Sequence, residues 1–295
     1  MLMSASDSLR DAVVGRLAAQ WIALGVTLVG SPEKALVDLE ALIAMTAALG
    51  DHDPRVHEGA LDWCIAYGEA VNAGRLRTVA TEMGVDPARL GAFAALAAAA
   101  GGPRWPIEGT APYRYVPRGK VQVRDLRDPA VLAWRLRSAM GVNARADIVA
   151  ILAATGDRQV TLADLARLVR FTKRNVAFAV RSLALAGVLE VDRVANEQRV
   201  RLTRHAGLRA WIGDVPAPYV DWLARFAVAL RVLGFAVPPS ASPRVRAIEA
   251  QALVAGLAPL VRRSGLPELE PTPVDEAFND AFERWLIDLA AVFSP

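Results

Sequence analysis

Lys173, Arg174, Asn175 and Arg181 lie close together in the run TKRNVAFAVRSLALAGV, and Arg193, Arg199 and Arg201 follow in LEVDRVANEQRVRL. This chemistry is recognition rather than bond making. Ammonium and guanidinium groups pair with phosphate oxygens, a guanidinium can pair bidentately with guanine, and a carboxamide can do so with adenine. Thr172 stands just ahead, where a hydroxyl can cap a helix. Ala177 can touch a thymine methyl. Phe178 either touches apolar DNA surface or packs on a neighbouring domain, and packing is the favoured reading.

The whole chain is no polycation: 295 residues carry a formal charge of only +3, with a sequence pI near 9.3. The charge is uneven, however. Between Gly141 and His205 the bases are Arg145, Arg158, Arg167, Arg170, Lys173, Arg174, Arg181, Arg193, Arg199, Arg201 and Arg204. They face only Asp147, Asp157, Asp164, Glu190, Asp192 and Glu197, so the segment carries the chain's basic excess. A local excess of this kind is the electrostatic footprint expected of a nucleic-acid binder.

Three helical patterns and a hairpin position these side chains. Asn143 is placed to cap the first helix, whose Ile148, Ile151 and Leu152 form an apolar stripe. Thr161, with Asp164 three residues on, opens the second, which buries Leu162, Leu165, Ala166 and Leu168. After a turn at Arg170-Phe171, Thr172 opens the third. There Val176, Ala179, Val180, Leu183 and Gly187 share one side, and Arg174, Phe178, Arg181 and Ser182 the other. The hairpin LEVDRV-ANEQ-RVRLT alternates, with Leu189, Val191, Val200 and Leu202 expected inward.

The run LARLVRFTKRNVAFAVRSLALAGVLEV resembles the winged helix-turn-helix domains of bacterial transcription regulators. Ala166, Arg170 and Val176 match the turn spacing, and AGVLEV the junction of helix and wing. The resemblance implies sequence-specific binding of double-stranded DNA, with helix 172–187 in the major groove and wing 189–203 on the backbone or minor groove. The implied contact residues are Thr172, Lys173, Arg174, Asn175, Ala177, Phe178, Arg181, Arg193, Arg199 and Arg201. The chain is also similar to antitoxin-type winged-helix proteins encoded beside nucleotidyltransferase toxins, which implies repression. One departure stands out: Arg170 occupies the family's left-handed glycine position, where a side chain costs roughly 1 kcal/mol.

The remaining chain reads as helical, giving a mainly α protein in four parts: an N-terminal helical domain (1–102), an extended linker (103–128), the winged domain (129–205) and a C-terminal helical region (206–295). Ser31-Pro32, Asp53-Pro54 and Asp86-Pro87 carry the signature of a capping oxygen followed by proline, and Asp128-Pro129 repeats it. Gly50 and Gly74 are expected as helix stops. A short strand is expected at Lys120 to Arg124. Helices are expected near Tyr219 to Phe235, from Pro243 to Arg263 and from Pro273 onward, with Pro238-Pro239 as a break. Trp21, Trp63, Trp134, Trp211, Trp222 and Trp285 are expected in cores or interfaces.

RLRTVATEMGVDPARLGAFAA offers a second helix-turn-helix spacing through Ala80, Gly84 and Leu90, but its second helix presents only Arg89 as a polar contact. A structural role is expected. Asp51, His52, Asp53, His57 and Cys64 match no standard zinc spacing, so no metal is expected. No nucleophile elbow, phosphate loop, dinucleotide loop or zinc-protease motif occurs, and neither catalysis nor a cofactor is expected. A single cysteine fits a reducing cytoplasm. The greasiest windows are short or interrupted by charge, so no membrane span is expected.

The expected function is therefore a DNA-binding regulator, a homodimer, with a protein partner or small-molecule effector for the flanking helices. The alternative is a protein-binding antitoxin or adaptor with the winged domain as scaffold.

Overall fold

The computed structural model describes residues 4–50, 52–122, 126–156, 158–195, 197–203, 206–213, 216–238, 240–269 and 276–295. Among them the chain is mainly helical, with one small antiparallel sheet. Two hydrophobic cores organise it. The larger gathers α1 (Ala5–Ala23), α2 (Leu39–Leu49), α3 (Pro54–Tyr67), α4 (Ala73–Met83) and α5 (Pro87–Ala99) with α11 (Trp222–Leu233), α12 (Pro243–Ser264) and α13 (Glu276–Phe293). The N-terminal helices and the helices α11 to α13 of the C-terminal region, read separately in the sequence, thus bury one shared core. Helix α1 packs along α13, and Arg16 Nε donates to the Phe293 carbonyl at 3.0 Å.

The smaller core lies between α6 (Leu132–Met140), α7 (Ala144–Ala154), α8 (Leu162–Val169), α9 (Lys173–Leu185), α10 (Ala206–Ile212) and the sheet. Strands β1 (Val160–Thr161), β2 (Leu189–Val194) and β3 (Glu197–Leu202) pair in the order β1-β3-β2, all antiparallel. Helix α6 straddles the division: Trp134 joins the larger core while Leu132 and Leu136 join the smaller.

Local capping chemistry explains most helix starts. Asp53 Oδ1 accepts from Arg55 N and Asp86 Oδ1 from Ala88 N, each with proline at the first helical position. Asp128 and Pro129 open a short 3-10 turn, Pro129–Val131, that leads into α6. Asn143, Thr161 and Thr172 cap α7, α8 and α9 as their types suggest. Ser242 caps α12, and Gly50 ends α2.

Other expectations fail for reasons outside their local sequence. Ser31-Pro32 starts no helix. Glu33 is instead buried, paired with Arg16 at 2.9 Å, and accepts the N–H groups of Lys34 and Ala35. The next helix waits for Asp38, whose Oδ1 accepts from Ala41 N. Gly74 is no stop but lies in the first turn of α4. The linker read at 103–128 is held against α3 along part of its described length. Tyr115 Oη donates to Asp62 Oδ1 at 2.7 Å, and the amides of Arg118 and Lys120 donate to the same buried carboxylate. Where the strand was expected there is one antiparallel bridge, Val26 to Val121, and residues 123–125 lie outside the described residues.

The expected tryptophan pattern holds for Trp21, Trp63, Trp134, Trp222 and Trp285, which are buried, but Trp211 is half exposed. Asp51, Arg204, His205, Pro239 and Pro273 also lie outside the described residues. No described helix is long and apolar enough to cross a membrane.

Candidate nucleic-acid interface

Helix α9 buries Val176, Ala179, Val180 and Leu183 against α7 and α8, as an amphipathic pattern dictates. Gly187 does not join them. It is exposed with φ 72°, the left-handed residue that ends the helix. The opposite face of α9 is open: Lys173, Arg174, Asn175, Ala177, Phe178 and Arg181 are all exposed. Lys173, Arg174 and Arg181 form no ion pair among the described residues, and α9 contains no acid to answer them. Thr172 Oγ1 accepts from Asn175 N at 3.3 Å, which sets the start of the helix.

Phe178 does not pack on a neighbouring domain, contrary to the favoured expectation. It is 72% exposed, and Leu185, about two turns further on, is 85% exposed. The reason is direction: Phe178 shares the outward face with Arg174 and Arg181, away from both cores.

The hairpin behaves differently from α9. Its first strand runs as read, but the second starts earlier, at Glu197, which pairs with Val194, and Ala195 takes φ 54°. Leu189 and Val200 are buried as expected, but Val191 is 38% exposed: it lies on the edge strand β2, whereas its partner Val200 lies on the central strand β3 between β1 and β2. Arg201 is only partly exposed and donates to Glu190 at 2.7 Å, its cross-strand partner. Arg199 sits 3.7 Å from Glu197. Arg193 remains exposed, with no ion pair among the described residues. Of the basic residues read as contacts, Lys173, Arg174, Arg181 and Arg193 therefore stay available, while Arg199 and Arg201 are partly neutralised.

The turn between α8 and α9 holds Arg170 at φ 59°, the left-handed conformation its position required. Its guanidinium is buried rather than offered to solvent, 3.3 Å from Glu82 of α4 and 4.0 Å from Asp221. Arg75 of α4 also donates from Nε to the Val169 carbonyl at 3.0 Å. Both contacts fasten the turn to the larger core.

Behind the turn lies a buried ionic cluster that no motif announced. Arg137 is bidentate to Asp147, at 2.8 and 3.0 Å, and to Glu40, at 2.6 and 2.9 Å. Arg75 is bidentate to Asp38, both at 2.6 Å, and also pairs with Glu40. Burial alone would raise the Asp38 and Glu40 carboxyls, but the two guanidiniums outweigh it and hold both below the usual carboxylate range. Asp147 and Glu40 together overcome burial and raise Arg137 above the ordinary arginine value. One signal was present: Glu40 is the only charge in LEALIAMTAAL, and a lone charge in an apolar helix needs a partner.

Asp53 caps α3, His52 is exposed, and Cys64 is buried with its thiol pushed up by burial. Helix α5 turns its apolar face into the larger core, and Arg89 donates to the Ala48 carbonyl at 2.7 Å.

No protein-family model matches the chain, and neither the curated proteins nor the solved structures contain a match.

Proposed function

We propose that the chain is a sequence-specific DNA-binding transcriptional regulator acting as a repressor. Its reader is a winged helix-turn-helix formed by α7, α8, α9 and the hairpin β2–β3. The observation that carries this reading is the outward face of α9: three unpaired cations and Asn175, with no acid on the helix, projecting from a turn anchored on the larger core. Such a helix suits a major groove, with Lys173, Arg174, Asn175 and Arg181 at base edges and phosphates. Ala177 and Phe178 would meet apolar base surface. Arg193, with Arg199 and Arg201 behind it, would meet the backbone. Two-fold operators pair with two-fold proteins, so the binding form is a homodimer.

A second reading, a protein-binding antitoxin or adaptor, draws on Phe178 and Leu185, two large apolar side chains exposed on the same helix. Exposed apolar surface of this kind marks partner sites.

Binding of the full chain to its own upstream DNA and to scrambled DNA, across a salt series, separates the two. The regulator is expected to prefer its own DNA by roughly a thousandfold. Arg174→Ala and Arg181→Ala should remove that preference while changing stability by less than about 0.5 kcal/mol. Equal affinity for both DNAs, unmoved by these substitutions, would refute base reading by α9. A complex with a neighbouring gene product that Phe178→Ser abolishes would favour the adaptor.

A further inference from the structure

Beside the start of α9 runs a groove of about 500 Å³, lined by elements of the smaller core and, at one edge, by the cap of α4, a helix of the larger core. Asn143 and Arg145 line it from α7, Arg174, Asn175 and Phe178 from α9, and Asn72 from the start of α4. No aspartate or glutamate lines it. Arg145 and Arg174 are exposed and form no ion pair among the described residues. Asn72 and Asn143 spend their Oδ1 atoms capping α4 and α7, accepting from Arg75 N and Arg145 N at 2.9 Å. The Asn72 side-chain amide has no acceptor among the described residues, so its N–H groups remain to be used.

These features describe one ligand chemistry. Two unpaired guanidiniums and spare amide donors, with no carboxylate, ask for an anion. The groove is roomier than a single inorganic phosphate needs, and the Phe178 ring offers an apolar wall suited to a sugar. Arg174 belongs both to this groove and to the open face of α9, so the groove continues the proposed reading surface.

We propose that the groove holds the phosphodiester backbone of one strand of duplex DNA, gripped by Arg145 of α7 and by Asn72 of the larger core. This rests on the DNA-binding reading and deepens it, because the larger core would then touch DNA itself. The smaller core carries the base-reading helix, and Asn72 supplies a phosphate contact from the other side. Since Arg75 and Arg170 fasten the two cores at the adjacent turn, the position of Asn72 fixes how α9 enters the major groove. Phosphate contacts of this kind set register without reading sequence.

The test uses the full chain, its own upstream duplex and a scrambled duplex, across a salt series. Arg145→Ala is expected to weaken binding to both duplexes equally and to reduce the salt slope by about 1. Asn72→Asp keeps a good helix cap but puts a carboxylate in the groove, and should weaken binding to both duplexes by about tenfold or more. Asn72→Ser keeps a cap without the charge and should cost far less. A urea midpoint shared with the parent shows that each variant is folded. If Arg145→Ala and Asn72→Asp bind like the parent while Arg174→Ala loses its preference, the groove is not the path of the strand, though α9 still reads DNA. If the parent chain binds no duplex, both proposals fall.

Discussion

The pairs α4–α5 and α8–α9 share a local design and differ in what lies over the second helix. Each pair turns through one left-handed residue, Gly84 at φ 80° and Arg170 at φ 59°, and each second helix starts at a side-chain cap, Asp86 or Thr172. Helix α5 is then covered. Alpha-helices α2 and α3 pack on it, and the segment after α5 comes so close that a Cβ added at Gly91 would lie 2.1 Å from the Glu108 carbonyl oxygen. Helix α9 is covered on one side only, and its uncovered side carries Lys173, Arg174 and Arg181. The tight corner is thus a packing device common to both pairs. Charge on an uncovered second helix is what separates a candidate reader from scaffold.

The largest effect should come from the ionic cluster that joins the two pairs. Glu40 accepts from both Arg75 and Arg137 and is fully buried. Glu40→Ala removes the carboxylate that two buried guanidiniums share and leaves Arg75 with Asp38 alone and Arg137 with Asp147 alone, so the loss should fall near the lower end of the about 3–5 kcal/mol that breaking a buried pair costs. A urea titration should show that loss or an unfolded chain. A variant as stable as the parent would mean that the cluster does not hold the cores together. The pH dependence has the same origin. Asp38 and Glu40 hold protons more weakly in the folded chain than in the unfolded one. The unfolded chain therefore takes up protons first as pH falls through the ordinary carboxylate range. The cluster's contribution is complete at neutral pH and declines below about pH 4.

Gly91→Ala attacks the covered side of the comparison. The obstruction is backbone against backbone, so no flexible side chain can swing aside and the 103–122 segment must lift. Overpacking of this kind costs about 1–3 kcal/mol. Thermal unfolding should record it, and limited proteolysis should cut the lifted segment faster. DNA affinity should be unchanged. If affinity falls while stability holds, α5 takes part in binding and the distinction between the two pairs breaks down.

Sequence legibility followed the range of the interactions. Asp53-Pro54, Asp86-Pro87, Asn143, Thr161 and Thr172 were readable because a cap and its amide are two or three residues apart. Ser31-Pro32 carries the same signature and misleads, because the following Glu33 answers to Arg16, on another helix. The shared core of α1 with α13, and the reach of Arg137 from α6 to Glu40 on α2, depend on partners that no local window contains. In the candidate interface the residue types were legible, but their availability was not. Arg201 is answered by Glu190 across the hairpin, and Arg170 by Glu82 from another core, whereas Arg174 and Arg181 are answered by nothing described. Arg145 was counted among the bases but not as a contact, and Asn72 was not singled out, because they line one groove with Arg174 only when α4 and α7 are brought beside α9.

The smallest effect addresses the one chemical difference between the two corners, glycine in one and arginine in the other. Arg170 bears the left-handed strain of a side chain, and its guanidinium lies between Glu82 and Asp221. Arg170→Ala keeps the strain and loses both carboxylates. Arg170→Gly loses the carboxylates and relieves the strain as well. The glycine variant should therefore be more stable than the alanine variant by roughly 1 kcal/mol, the cost of the left-handed conformation for a residue with a Cβ. Their urea midpoints isolate that term, because the lost ion pairs cancel. If the parent is more stable than both, the contacts to the larger core outweigh the strain, and arginine is at this corner to fasten α9 rather than despite the turn. If the glycine variant exceeds the parent, the contacts are too weak to offset the strain, and the turn is held by Arg75 on the Val169 carbonyl alone.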